Sequence, residues 1–346
     1  MHQGTRVGPV VCLSLVSCLA LACFGVAAEQ RPTKRVQPPP QCNPNAVVWR
    51  TPKPPANPQK GDVWVNPKDG MEMVYVAPGE FIMGTSSADL DVWLKEHPDD
   101  AVHMRQVEHP WLLGEQPRCR VRLKGYWIAR TEVTNAQYLR FVQATGHRAP
   151  DHWQDGRPPA GLENFPVINV DWRDVCAYSN WARGRLPTEA QWEKAARGGD
   201  GRSFPWGFGW MEERCRNLAL IMGGAYRAKG YSGNVMGWLS ALQDWQQTHD
   251  PLREGPAPVG SLPAGASPYG CVDMAGNVEE WCADWYAKDA YRRYAKGDLA
   301  LPKEGTHRVT RGGSWNRDQP RFFHCASRGR SNPGMCSDFC GFRYAR

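Results

Sequence analysis

Apolar residues in this chain come in short bursts. The longest is at the start, where Val7 to Ala28 carries no charge and is strongly apolar. Past residue 60 the bursts shorten and acquire periods. Met73 to Ala77 and then Gly79 to Gly84 read as two short strands around a Pro78-Gly79 turn. Residues 85 to 117 are charged and patternless, which predicts a surface loop. Tyr126 to Arg130 reads as another short strand. Thr134 can cap a helix that runs through Tyr138, Leu139 and Val142 and stops at Gly146. Asp171 or Asp174 opens a second helix, with Val175, Tyr178, Ser179 and Ala182 on one face. Thr188 caps a third, with Glu189 and Gln191 in the first turn and Trp192, Ala195 and Ala196 facing inward. Beyond Gly198 regular signals are rare, and the chain has neither an internal repeat nor a heptad run.

Composition sharpens this picture. The 346 residues include 16 Trp, 35 Gly and 29 Pro, and only 22% are charged. A chain of this length can bury a sizeable core. The mix suits a loop-rich fold packed with aromatic rings better than a helical bundle. The formal net charge is +7, but the basic residues are scattered, with no run of five or six. That pattern points to a solvated surface and no nucleic-acid partner.

The N-terminal run reads as an export signal. Arg6 gives a weak basic start, and Val26-Ala27-Ala28 offers small residues for cleavage before Glu29, making residues 1–28 a signal peptide. Leu15 to Cys18 also fits a lipobox, which would make the protein a lipoprotein anchored through Cys18. A retained membrane anchor is a third reading, disfavoured because a Pro-rich spacer and not a basic stop-transfer cluster follows. Either cleavage places the protein outside the cytoplasm, in the periplasm or cell envelope. Residues 29–59 form a semi-rigid tether with nine prolines, and residues 60–346 form one domain. Nine cysteines follow residue 28. An oxidising compartment would pair some of them, and the odd number leaves at least one free or bound to another chain. Cys176, Cys271 and Cys282 lie in apolar or aromatic runs and read as core.

Four strings carry more specific information: Gly184 to Glu193, Asp273 to Trp281, Arg311 to Trp315 (Arg-Gly-Gly-Ser-Trp) and Gly341 to Arg343 (Gly-Phe-Arg). Gly312 and Gly313 allow a turn that a Cβ would forbid. Gly341 suggests close backbone approach beside a buried ring. Glu132 and Arg130 suggest a structural ion pair. Glu189 and Glu193, four apart on one helix face, read as capping and solvation rather than an acid–base pair. Further strings run from Met71 to Gly84, Ala129 to Tyr138, Phe165 to Val170 and Phe204 to Gly207. In this order over residues 70–346, they resemble the formylglycine-generating enzyme family, also called the sulfatase-modifying-factor family. The resemblance implies an α+β fold: a single compact domain related to C-type lectins, with little regular secondary structure.

It also implies sites. Asp273, Gly276, Val278 and Glu280 match a calcium site, with Asp273 where an amide is common, a change that strengthens it. Asn217 and Leu218 resemble half of a second calcium site, and Asp250 and Leu252 the other half. The family's oxidase uses O₂ and Cu(I) held by two thiolates shortly after the Gly-Gly-Ser turn. The matching positions here are about Arg317 and Phe322, and neither supplies a thiolate, so Ca²⁺ is expected and copper is not. Ser314 matches an active-site position, but a hydroxyl without a base is no nucleophile. The family groove is expected around Trp281, Ser314, Trp315, Asn316, Arg317 and Phe322. Cys325 matches a structural cysteine whose partner position holds Ala196. Cys336 and Cys340 read as a disulfide or core pair ahead of a relocated copper site. The nine His are dispersed, and one such as His324 reads as packed rather than as a ligand.

Three functions remain open. The first is an exported family member without the copper dithiolate, binding a peptide, protein, glycan or small molecule in the groove. The second is a formylglycine-generating oxidoreductase with a rearranged site. The third is a lipid-anchored structural part of an envelope machine.

Overall fold

The computed structural model describes residues 53–97, 111–223 and 235–346. The signal peptide, the lipobox, Cys42 and most of the tether lie outside the described residues.

The first half holds β1 (Val63–Val65), β2 (Glu72–Val76), β3 (Gly79–Met83), α1 (Ser87–Glu96), β4 (Cys119–Leu123), β5 (Tyr126–Ala129), α2 (Asn135–Thr145), α3 (Trp172–Trp181) and α4 (Glu189–Arg197). Then follow α5 (Leu218–Met222), α6 (Val235–Gln246), α7 (Pro251–Glu254), β6 (Glu279–Trp285), α8 (Ala290–Tyr294), β7 (Arg308–Arg311), β8 (Gly329–Ser331) and β9 (Cys340–Gly341). Three small sheets result, ordered β1-β2-β5, β3-β4 and β8-β7-β6-β9. All pairings are antiparallel except β6 with β9. This is an α+β fold. The two strands expected on either side of Pro78-Gly79 exist but belong to different sheets.

The central helices form because their caps are written locally. Thr134 with Gln137, Asp171 with Asp174, and Thr188 with Gln191 each make a reciprocal capping box. Each box satisfies backbone donors that a helix start would otherwise strand, at about 1 kcal/mol per cap. Gly146, at φ 69°, ends α2 in the left-handed conformation. Asp171, not Asp174, is the true N-cap of α3.

Strands β2 and β5 are buried on both faces, following the two-residue period of a strand. Met73, Trp127 and Ala129 face one cluster with Tyr138, Val175, Tyr178, Trp281, Phe342 and Tyr344. Val74, Val76 and Ile128 face another with Trp192, Cys271, Met274, Cys282 and Cys325. Residues 341–346 pass between these layers. Val133 N donates to Phe342 O, Ala129 N to Tyr344 O, and Trp127 and Arg346 exchange both backbone bonds. Phe342, Tyr344 and Ala345 have no exposed surface. A full burial of each ring contributes about 1.5–3 kcal/mol.

Two expectations need correction. The stretch from 85 to 117 contains a helix, α1, opened by a Ser86–Asp89 capping box, and a 3-10 turn at Trp111–Glu115; residues 98–110 lie outside the described residues. Ser86 is the N-cap, and Asp89 completes the box that the charged surroundings obscured. Glu189 and Glu193 are fully buried and not solvated. Arg328 grips Glu189 through Nε and a second nitrogen at 2.6 and 3.0 Å, and Arg311 and Arg197 hold Glu193. Buried carboxylates of this kind require such partners.

Candidate binding groove and cation site

The Gly-Gly-Ser corner is built as its residue types require. Gly312 and Gly313 sit at φ 97° and 69°. A Cβ on Gly313 would stand 2.9 Å from Phe322 O. The turn carries Arg311 inward, where its guanidinium bonds to Glu193 and to the Cys325 and Ala326 carbonyls. Ser314 is buried, and its hydroxyl donates to Asn316 Oδ1 at 2.8 Å. Trp315 Nε1 donates to Asp338 O at 3.1 Å, and Trp281 Nε1 to Val170 O at 3.3 Å.

These contacts correct the expected groove. Trp281, Ser314 and Trp315 have no exposed surface, and Asn316 retains 7%. They back the site and do not line it. Arg317 and Phe322 are partly exposed. The Arg317 guanidinium lies 4.9 Å from the Trp238 ring centre and 4.9 Å from that of Phe322, so the two copper positions form a cation–π contact. Trp238, the second wall of this clamp, gave no sequence signal. Arg317 also faces the half-buried Glu279 carboxyl, which desolvation pushes up and Arg317 pulls down.

The Asp273 loop is strained. Asp273 and Asn277 adopt φ 58° and 62°, and Gly276 φ 77°. Asp273 Oδ2 accepts from Gly260 N at 2.6 Å. Glu280 is fully occupied: Arg343 forks onto both its oxygens at 2.6 Å, and Trp192 Nε1 donates at 2.8 Å. Its carboxylate is therefore already committed, unlike the free donor expected. The structure instead brings Glu132 to Asp273, and the buried Glu132 carboxyl touches the half-buried Asp273 carboxyl. One Glu132 oxygen accepts from Asn277 Nδ2 at 3.1 Å, and the other, Oε2, has no donor. Burial and the Asp273 charge push Glu132 well above the carboxylate range. Of two such carboxyls one tends to keep its proton, although the Arg343 charge lowers both, and a further cation would favour ionising the pair. Glu132 Oε2 and the Asp273 carboxylate are oxygen donors of the kind a hard cation takes. No group of three or more acidic, thiol or imidazole side chains converges on a metal position among the described residues. Carbonyls would have to complete the shell. Arg130, expected beside Glu132, pairs with Glu72 at 2.7 Å.

The second calcium set is spent on helix capping. Asn217 Oδ1 accepts from Leu220 N, and its amide donates to Glu212 O and Cys215 O. Asp250 Oδ1 accepts from Leu252 N at the start of α7.

All eight cysteines among the described residues are thiols, so the Cys336–Cys340 disulfide is not formed. Cys340 is buried, and Cys336 sits 4.0 Å from the Arg148 guanidinium. Burial raises both thiols, which disfavours thiolates. Cys176, Cys271, Cys282 and Cys325 are buried, the first three as their apolar surroundings predict.

Residues 59–346 match the profile described as the Sulfatase-modifying factor enzyme 1-like domain. The chain belongs to the sulfatase-modifying-factor family. Among its relatives, a formylglycine-generating enzyme of Streptomyces coelicolor is 32% identical over 325 residues, covering 81% of this chain and 90% of its own. PvdO from Pseudomonas aeruginosa shares the fold of this family member with a TM-score of 0.59 at 24% identity, covering 84% of this chain and 99% of its own. Treponema denticola variable protein 1 superimposes with a TM-score of 0.54 at 21% identity, covering 82% and 98%.

Proposed function

We propose that this family member is an exported binding protein that takes a peptide or small molecule in the groove at Arg317, without copper-dependent oxidation. One observation carries the reading. Where the family resemblance implies two thiolates, this chain places a guanidinium clamped between Trp238 and Phe322. Arginine and phenylalanine offer no soft donor for Cu(I). The clamp suits recognition: a stacked, oriented guanidinium hydrogen-bonds a ligand at little entropic cost.

Calcium belongs to the same proposal. Asp273 and Glu132 would hold it, with backbone carbonyls. Bound there, the ion would supply charge that favours ionising both carboxyls and would tie the loop after Asp273 to the Glu132 segment.

The test of the groove is direct. A Cys-x-Pro-x-Arg peptide incubated with the protein, Cu(I) and O₂ should keep its thiol mass. Conversion to the aldehyde, lost in Cys336→Ser, would overturn the reading. Arg317→Ala should also abolish enrichment of ligands from envelope extracts, and enrichment that survives it would sink the role of the clamp.

A further inference from the structure

A recess of about 90 Å³ lies between α1 and the turn that carries His324. None of the groove candidates lines it; its walls include Asp89, Trp93, Arg118, Ser203, Phe208 and His324.

One side is aromatic. Trp93 meets the edge of the His324 ring at 4.2 Å and stacks on His97 at 3.6 Å. Phe208, at the rim, is 64% exposed. A single exposed ring is ordinary. Nearby in sequence but not among the lining residues, Trp206 and Trp210 pack 5.9 Å apart and flank Phe204. Phe208, Trp93 and His324 together give the recess an aromatic wall.

The polar side carries no spare charge. Asp89 and Arg118 pair at 3.2 Å, each still about 40% exposed at the side chain (41% and 37%). Arg197 spends one terminal nitrogen on the Ile82 and Gly84 carbonyls and on Glu193. His324 is 7% exposed, and its Nε2 has no hydrogen-bond partner. Burial and the nearby Arg197 push this imidazole down to about 3, so it is a neutral group at physiological pH. A buried polar atom left unmet is costly, and a ligand hydroxyl could meet it.

We propose that this recess binds one neutral pyranose unit of a glycan. A sugar ring has an apolar C–H face and a rim of hydroxyls. The face suits Phe208 and Trp93. The adjacent acceptor and donor of Asp89 and Arg118 suit two neighbouring hydroxyls, and His324 and Ser203 supply further partners. An anionic ligand finds no unpaired cation here. Size sets the pose: an enclosed cavity of about 150 Å³ holds a benzene-sized ring. This smaller, open recess takes one edge of a single pyranose, with the rest of the ring outside against the rim.

Saturation-transfer NMR on the full chain tests this. The probes are the methyl glycosides of glucose, galactose, mannose and N-acetylglucosamine, with acetate, inorganic phosphate and benzyl alcohol alongside. At least one glycoside should show ring-proton saturation with a Kd of order 1 mM, about 4 kcal/mol. Phe208→Ala and Arg118→Gln should each weaken it at least fivefold. Both residues are at the rim, so the thermal midpoint should hold; Asp89 is left intact because it completes the Ser86 capping box of α1. Saturation of no glycoside, equal affinity in both variants, or binding of only the ions or benzyl alcohol would overturn the proposal.

Discussion

Replacing Arg343 with methionine removes one guanidinium from the centre of the domain. Five hydrogen bonds go with it: two to Glu280 at 2.6 Å, and three to the carbonyls of Ala129, Arg130 and Val272 at 2.9–3.1 Å. Glu280, fully buried, keeps only the Trp192 indole. Breaking one side of a buried pair costs about 3–5 kcal/mol. A domain holds about 5–15 kcal/mol in total, so the variant should fold but melt early. Urea melts followed by tryptophan fluorescence would compare wild type, Arg343→Met, Glu280→Gln and the double variant. The double should be at least about 2 kcal/mol more stable than the two single losses summed, because no unpaired charge remains. The pH dependence has a definite sign. Burial pushes Glu280 up, and Arg343 opposes it. Without Arg343 the folded carboxyl rises further above its unfolded value of 4.5, so stability falls as pH climbs past that value. The Arg343→Met defect should therefore be smaller at pH 4 than at pH 8. Losses that add within about 0.5 kcal/mol, with a defect indifferent to pH, would refute the ion-pair account.

Three further outcomes are expected. Glu115, buried and pushed up to about 7, keeps its proton where the unfolded chain, at 4.5, has lost it. Stability should fall by roughly 3 kcal/mol as pH rises through that window; Glu115→Gln should flatten the slope, and equal slopes in urea melts would count against it. Gly276→Ala puts a Cβ 2.4 Å from Arg216 O at φ 77°, and should cost about 1–3 kcal/mol in thermal or urea melts, whereas a neutral effect would show the loop relaxes freely. Calcium at 100-fold its Kd should add about 2.7 kcal/mol to the chelated protein. Glu132→Gln should cancel that gain in differential scanning calorimetry, and a chelator-insensitive midpoint in the native protein would rule the ion out.

What the sequence disclosed was local. The boxes at Thr134, Asp171 and Thr188 each lie within three residues, so their helices could be read directly. Ser86 and Asp89 carried the same signal and were hidden by the charged stretch around them. The last sheet was not legible: β8 and β9 have three and two residues, too few to alternate. The motif strings pointed to the right family. They could not separate residues that line a groove from those behind it, and Trp281, Ser314 and Trp315 lie behind. Glu132 and Trp238 were missed because neither stands near its partners in sequence: Asn277 reaches Glu132 across 145 positions.

The path of residues 341–346 constrains how this chain can be assembled. Trp127 waits for Arg346, and Val133 for Phe342, more than 200 positions later. Synthesis from the amino end therefore exposes a half-built shell, open along one seam, until the final strand is threaded home. Contacts so distant are slow to form. An interval that long rewards a chaperone able to shield the gap and leaves a stalled or shortened product prone to clump.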